Sequence, residues 1–162
     1  NSVKHKVVIG LMMMKKITQW LGIAVLTVSS TLTMAADTLN LDAYKGKVVY
    51  VDFWASWCGP CRESFPWMKK IQQQYGKDGL VVIAVNVDQE KKLADNFLNE
   101  FKPEFKVLFD KEGKLAEDFK VSSMPSSYVI DREGKPRFKH KGFHGNKQAQ
   151  YESELLGLLN EK

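Results

Sequence analysis

Residues Phe53 to Cys61 read FWASWCGPC, and Cys58 and Cys61 are the two cysteines of the 162-residue chain. They stand two residues apart, directly behind an apolar run. A pair at this spacing serves as a small structural disulfide, as half of a metal site, or as a dithiol reaction centre. A disulfide stabilises mainly by restricting the unfolded chain, and a loop this short gains little. The metal reading would recruit His140 and His144, spaced His-x-x-x-His. Zinc-finger arrangements place such a pair about 12 to 15 residues after the second cysteine, whereas 78 residues intervene here. Those histidines also lie in FKHKGFH, the pattern of an edge strand, where imidazoles are usually solvated or hydrogen-bonded surface groups.

The context favours a reaction centre. Cys58 immediately precedes a helical pattern, so its sulfur meets the free N–H groups and positive end of a helix, which stabilise thiolate over thiol. The thiolate is the form that attacks a disulfide. Cys61, one turn further on the apolar face, is placed to resolve the mixed disulfide. Gly59 permits close approach of a partner chain, and Pro60 suits a first helical turn, where a missing N–H costs nothing.

Outward from this centre, strand and helix signals alternate. KVVYVDFWA (47–55) is a β-branched and aromatic run after Gly46, the pattern of a buried strand. In the helix that follows, Cys61, Phe65, Met68, Ile71 (or Gln72) and Tyr75 share a face, Gly76 ends it, and Pro66 is expected to kink it. LVVIAVNV (80–87) is a second buried strand. A helix with Leu93, Ala94, Phe97, Leu98 and Phe101 on one side comes next, then a short strand at 106–109 and a small helix in KLAEDF. The strand SSYVID, from Ser126, pairs with PRFKHKGF across REGK, and a last helix carries Tyr151, Leu155, Leu158 and Leu159. This order predicts one α/β domain over residues 37–162, a sheet flanked by helices and ending in an antiparallel hairpin.

Residues 1–36 read as an address. From Met14 the chain offers Lys15 and Lys16, an apolar stretch from Trp20 to Val28, and small residues ending in Ala35 and Ala36. This is the layout of a secretory signal peptide. Residues 1–13 read as upstream sequence. An uncleaved anchor, which would tether the body to the membrane, needs roughly 20 mostly apolar residues, and here Thr18, Gln19, Thr27, Ser29, Ser30, Thr31 and Thr33 dilute the stretch. Either way the body is expected outside the cytoplasm, in the periplasm or on the outer face of the membrane, where disulfides persist. No cysteine near the cut could carry a lipid. The net charge of +5 hides an asymmetry: four basic residues lie before residue 37 and all 19 acidic ones from Asp37 onward. The body therefore carries 20 basic and 19 acidic residues, which removes the main support for a nucleic-acid partner.

VDFWASWCGPC resembles the active-site segment of thioredoxin-fold proteins, and SMPSSYVIDREGK resembles their proline loop and following strand. The helix and strand between Asp88 and Asp110, inserted after the second buried strand, together with the export signal, narrow the resemblance. They are similar to the extracytoplasmic thiol–disulfide oxidoreductases of the TlpA/ResA type, over roughly Leu39 to the C-terminus. The resemblance implies a thioredoxin-like fold with a central mixed sheet, Cys58 as attacking and Cys61 as resolving cysteine, and a cis peptide at Met124–Pro125. Such a bond would present the Met124 backbone to a substrate strand. It also implies a buried Asp52 that relays a proton to or from Cys61. Trp54 and Trp57 would shield the site and form its rim, and Trp67 reads as packing.

The expected activity is reduction of protein disulfides, with no cofactor beyond the redox-active pair itself. A Gly-Pro dipeptide in the motif resembles reducing members, whose potential lies near about −270 mV against about −120 mV in strong oxidants. Without a third cysteine, a reductant must be recharged by another protein, expected to be a membrane-borne electron donor. Nothing marks a peroxidase. Two alternatives stand beside this reading: a dedicated reductase of apocytochrome c cysteines, and a non-catalytic module that binds clients. GKLAEDFKVSS lacks the acidic insertion that looks typical of the former, and the complete motif argues against the latter.

Overall fold

The computed structural model describes residues 38–161, so the leader assigned to residues 1–36 lies outside the described residues. Five strands form one sheet: β1 (Val48–Trp54), β2 (Leu80–Asn86), β3 (Lys106–Phe109), β4 (Ser126–Ile130) and β5 (Pro136–Lys141). Their order is β3-β2-β1-β4-β5. β1 pairs parallel with β2 and antiparallel with β4; β2–β3 is parallel and β4–β5 antiparallel. The sheet is therefore mixed, in a thioredoxin-like α/β architecture, with β1 at its centre. That position explains the unbroken apolar run in the sequence, because both faces of β1 are covered and all seven of its residues are buried. β5, at the edge, alternates instead.

Four helices accompany the sheet: α1 (Gly59–Tyr75), α2 (Lys91–Phe101), α3 (Lys114–Asp118) and α4 (Gln148–Asn160). One apolar cluster joins Val48, Tyr50 and Trp54 of β1 to Phe65, Met68 and Ile71 of α1, Phe97 of α2, and Tyr151 and Leu155 of α4. On the other face, Val51 and Phe53 pack with Ile83 and Tyr128 beneath Leu41, Leu115 and Phe119. Successive residues of β1 thus feed opposite layers, as strand geometry requires.

α1 buries Cys61, Phe65, Met68, Ile71 and Tyr75, the face its spacing predicts, together with Ser64 and Trp67. Gln72 leaves that face and instead ties α1 to β2. Its Oε1 accepts the Val82 N–H at 2.7 Å, and its Nε2 donates to the Leu80 carbonyl at 3.3 Å. The helix runs unbroken through Pro66, which sits on its exposed side. α1 stops before Gly76, but Gly76 keeps a right-handed conformation (φ −58°). The left-handed residue is Gly79, at φ 106°, closing the single turn that leads into β2.

Candidate active site

β1 ends at Trp54, and the chain turns through Ala55, Ser56 and Trp57 before α1 begins at Gly59. Cys58 is the N-cap of α1. Its backbone is extended (φ −86°, ψ 109°), and its Sγ accepts the Cys61 N–H at 3.3 Å. This is the capping geometry normally supplied by a serine or aspartate oxygen, here supplied by sulfur. Cys58 and Cys61 form a disulfide, with Cα atoms 5.3 Å apart. The pair is the staple in form but closes too short a loop to act chiefly as one.

The oxidised pair is more covered than an open nucleophile would be. Cys58 keeps only 4% of its surface and Cys61 none. The approach to Cys58 is nevertheless open on one side, because Trp57 is 70% exposed and Gly59 and Pro60 are exposed as well. A Cβ built on Gly59 would meet no atom within 4 Å, so that position is bare toward solvent.

Trp54 departs from the role expected of it. It is fully buried, with its ring 4.8 Å from that of Phe65 and 4.6 Å from that of Phe97. It belongs to the core under α1, and the rim is left to Trp57. The reason is strand parity: Trp54 is the last residue of β1 on the face that α1 and α2 cover. Trp67 is packing, as expected, edge-on to Tyr50 at 5.5 Å, with its Nε1 donating to Glu152.

The Met124–Pro125 peptide is cis. Ser126 pairs with Phe53, so Pro125 is carried to the end of the sheet where β1 runs out toward Cys58. The Pro125 carbonyl is occupied by the Gly142 N–H at 2.8 Å. Met124 is half-buried and packs against both apolar clusters.

Asp52 is 1% exposed, and its Oδ2 has no hydrogen-bond partner among the described residues. Burial pushes its carboxyl well above the usual carboxylate range. It stands two residues from Tyr50 and from Trp54 along β1, which places it with them on the face covered by α1. A buried carboxyl whose affinity for a proton is raised can, once ionised, accept one from a thiol on the same face.

The family model for Redoxin matches residues 22–155. This chain belongs to the Redoxin family. Within it, this redoxin is TlpA/ResA-like. It is 31% identical over 112 residues to the thiol-disulfide oxidoreductase ResA of Bacillus thuringiensis subsp. konkukian, covering 69% of this chain and 65% of that protein. It therefore spans just under two thirds of the length of that relative. It is 35% identical over 126 residues to the thioredoxin-like protein YneN of Bacillus subtilis, covering 76% of this chain and 73% of the other. Among solved structures, it superposes with a TM-score of 0.73 on a Chlorobium tepidum protein assigned as the thiol:disulfide interchange protein DsbE. The two are 43% identical, over 75% of this chain and 86% of that one.

Two features of the redoxin site escape the sequence reading. Asp88, 5% exposed, accepts both the N–H and the hydroxyl of Ser56 and so braces the turn before Cys58. His140 is hydrogen-bonded, as expected of an imidazole on such a strand, but with partners that the strand pattern does not specify: its Nδ1 lies 3.3 Å from Ser127 Oγ and its Nε2 2.7 Å from Glu154 Oε2. A signal for the first existed in the polar Asn86 and Asp88 at the end of an otherwise apolar strand. The second depends on how α4 returns to the sheet, which no local pattern encodes.

Proposed function

We propose that this redoxin is an extracytoplasmic thiol:disulfide oxidoreductase that reduces protein disulfides. In its reduced form, the Cys58 thiolate attacks one sulfur of a substrate disulfide and releases the other as a thiolate. The Cys61 thiolate then attacks Cys58 in the mixed disulfide, freeing the second substrate sulfur and closing Cys58–Cys61. Two electrons pass to the substrate, and Asp52 in its carboxylate form, made a stronger base by burial, takes the proton that Cys61 must lose. Trp57, Gly59 and Pro60 form the contact surface, and the Met124 backbone beside Pro125 offers itself to an extended substrate segment.

The observation that carries this reading is Cys58 as the sulfur cap of α1, bonded to Cys61 and bordered by exposed residues. Similarity to ResA points the same way. The location rests on the leader-like segment from Met14 to Ala36. Among the described residues, no helix is long and apolar enough to cross a membrane. A second protein, on this reading a membrane-borne donor, would return electrons to the disulfide, because the chain has no further thiol.

The test is reduction of insulin in the presence of a small-molecule thiol. Turnover that needs both Cys58 and Cys61 supports the reading; none at all leaves a client-binding module. A Cys61→Ser variant expressed in cells should hold its client as a mixed disulfide. Recovery of apocytochrome c would narrow the substrate class to cytochrome maturation, and recovery of unrelated proteins would broaden it.

A further inference from the structure

Three register partners form a polar row across the sheet: Asp52 of β1 faces Ser127 of β4, and Ser127 faces His140 of β5. Directly opposed residues of neighbouring strands share a face and bring their Cβ atoms to about 4.5–5.5 Å. The row lies one register step below the end of the sheet that carries Cys58, since Phe53, Ser126 and Lys141 make the row above it. Its inner end is sealed. Asp52 and Ser127 are 1% and 3% exposed, and Asp52 Oδ2 is left without a partner among the described residues.

The outer end is not sealed. His140 Nδ1 meets Ser127 Oγ at 3.3 Å, and His140 Nε2 meets Glu154 of α4 at 2.7 Å. The imidazole and the carboxylate keep 13% and 17% of their side-chain surface, so the pair touches solvent. Tyr50 lies beside the inner members. Burial, then the neighbouring Asp52 carboxyl, push its phenol well above the ordinary value, while a hydrogen bond shared with Ser127 opposes them. The titratable groups against His140 are Tyr151 and Glu154 from α4, with the Tyr151 ring 4.6 Å away, while Tyr50 of β1 meets the same Ser127.

We propose that the row is a proton relay, in which Asp52 exchanges its proton with solvent through the Ser127 and Tyr50 hydroxyls and the His140–Glu154 pair. The inference rests on the proposed oxidoreductase function for its purpose, though not for its physics. A buried acid that receives a proton from Cys61 must discharge it before the next cycle, and at 1% exposure Asp52 has almost no direct contact with solvent. The step conserves charge at each link. Asp52 gives its proton to a hydroxyl, that hydroxyl passes one to a ring nitrogen, and the imidazole releases its other proton to Glu154 and water. Imidazole, with one nitrogen toward each neighbour, is the side chain suited to this near neutral pH.

Infrared spectroscopy of the full oxidised chain gives a readout independent of turnover. The protonated Asp52 carboxyl band, identified by its loss in Asp52→Asn, shifts when its hydrogen exchanges after transfer to D2O. His140→Gln keeps a donor for Glu154 but cannot carry a proton, and exchange should slow about tenfold. Added imidazole should restore the rate in His140→Ala, a rescue that a purely structural strut would not show. Exchange as fast in His140→Gln as in the unaltered chain overturns the relay. Ser127→Ala provides the same comparison should the histidine variants misfold, and unchanged exchange there overturns it equally. If the unaltered chain fails to reduce insulin while exchange still depends on His140, the functional reading falls and the relay stands. The opposite outcome, turnover with exchange indifferent to His140 and Ser127, removes the relay alone.

Discussion

Asp88 holds Ser56 twice, accepting its N–H at Oδ2 over 2.9 Å and its hydroxyl at Oδ1 over 3.1 Å. Oδ2 also takes the Asn86 side-chain amide at 2.8 Å, and the Asp88 N–H returns to Asn86 Oδ1 at 3.1 Å. The segment that follows β2 therefore clamps the turn that follows β1. Two strands that are parallel neighbours end at the same level, and their exits are tied together two residues before Cys58. The N-cap position of the sulfur is set by this tie as well as by the Cys58 N–H bond to Ala55.

Asp88→Ala should consequently cost about 1–3 kcal/mol, because it strands the Ser56 N–H and the Asn86 amide in a nearly dry site. Ser56→Ala, which removes one hydroxyl and leaves the N–H bond intact, should cost about 0.5–1.5 kcal/mol. Urea midpoints of the two variants against the unaltered chain measure both. An Asp88→Ala chain as stable as its parent would show that the clamp is incidental.

A sulfur that caps a helix should be unusually reactive once reduced. At pH 6.5, iodoacetamide should modify Cys58 at least about tenfold faster than a cysteine in an unstructured peptide. Cys61, with no exposed surface in the oxidised form, should be modified only after unfolding. Peptide mapping after timed quenching separates the two. Equal, slow labelling of both would remove the starting point of the exchange chemistry.

Most of the fold is legible from periodicity because the layers demand it. β1 and β2 are covered on both faces, so their apolar runs are continuous; α1 is covered on one, so its buried residues recur every three or four. The cysteine pair is legible because spacing and position state its chemistry. The burial of Trp54 is not legible, because proximity to a motif in sequence says nothing of which face a strand residue takes at its last position. His140 and Glu154 meet only through the return of α4, and Asp88 meets Ser56 across 32 residues of chain. The first has no local pattern; the second is signalled only by polar Asn86 and Asp88 after an apolar run, which does not name Ser56 as the partner.

Phe97 tests whether α2 supports the site or merely decorates the sheet. Its ring lies 4.6 Å from Trp54, 4.8 Å from Phe65 and 4.4 Å from Phe101, with Arg62 of α1 placed over it. Phe97→Ala should cost about 3–5 kcal/mol, the range for emptying a buried aromatic site. The cavity would open under Trp54, at the end of β1, so insulin reduction should fall at temperatures well below global unfolding. Loss of activity only in step with unfolding would mean that α2 contributes bulk stability and nothing to the site.

Asp52 makes opposite demands on stability and on turnover. Burial holds its carboxyl well above the usual range, so over an interval of pH the folded chain keeps a proton that the unfolded chain has released. Its contribution to stability is fully present below about pH 3.9, the unfolded value, and is lost as pH rises toward the folded one. Asp52→Asn has no such proton to lose. Urea midpoints across pH should therefore coincide for the two chains at the acid end and diverge upward in favour of the variant, which lacks this one contribution to the pH dependence. Turnover should move the other way, falling about 10- to 100-fold because Cys61 loses its proton acceptor. A variant with the parent's pH profile would mean that Asp52 is not buried as a neutral acid. A variant stabilised as expected but fully active would leave Cys61 to release its proton by another path.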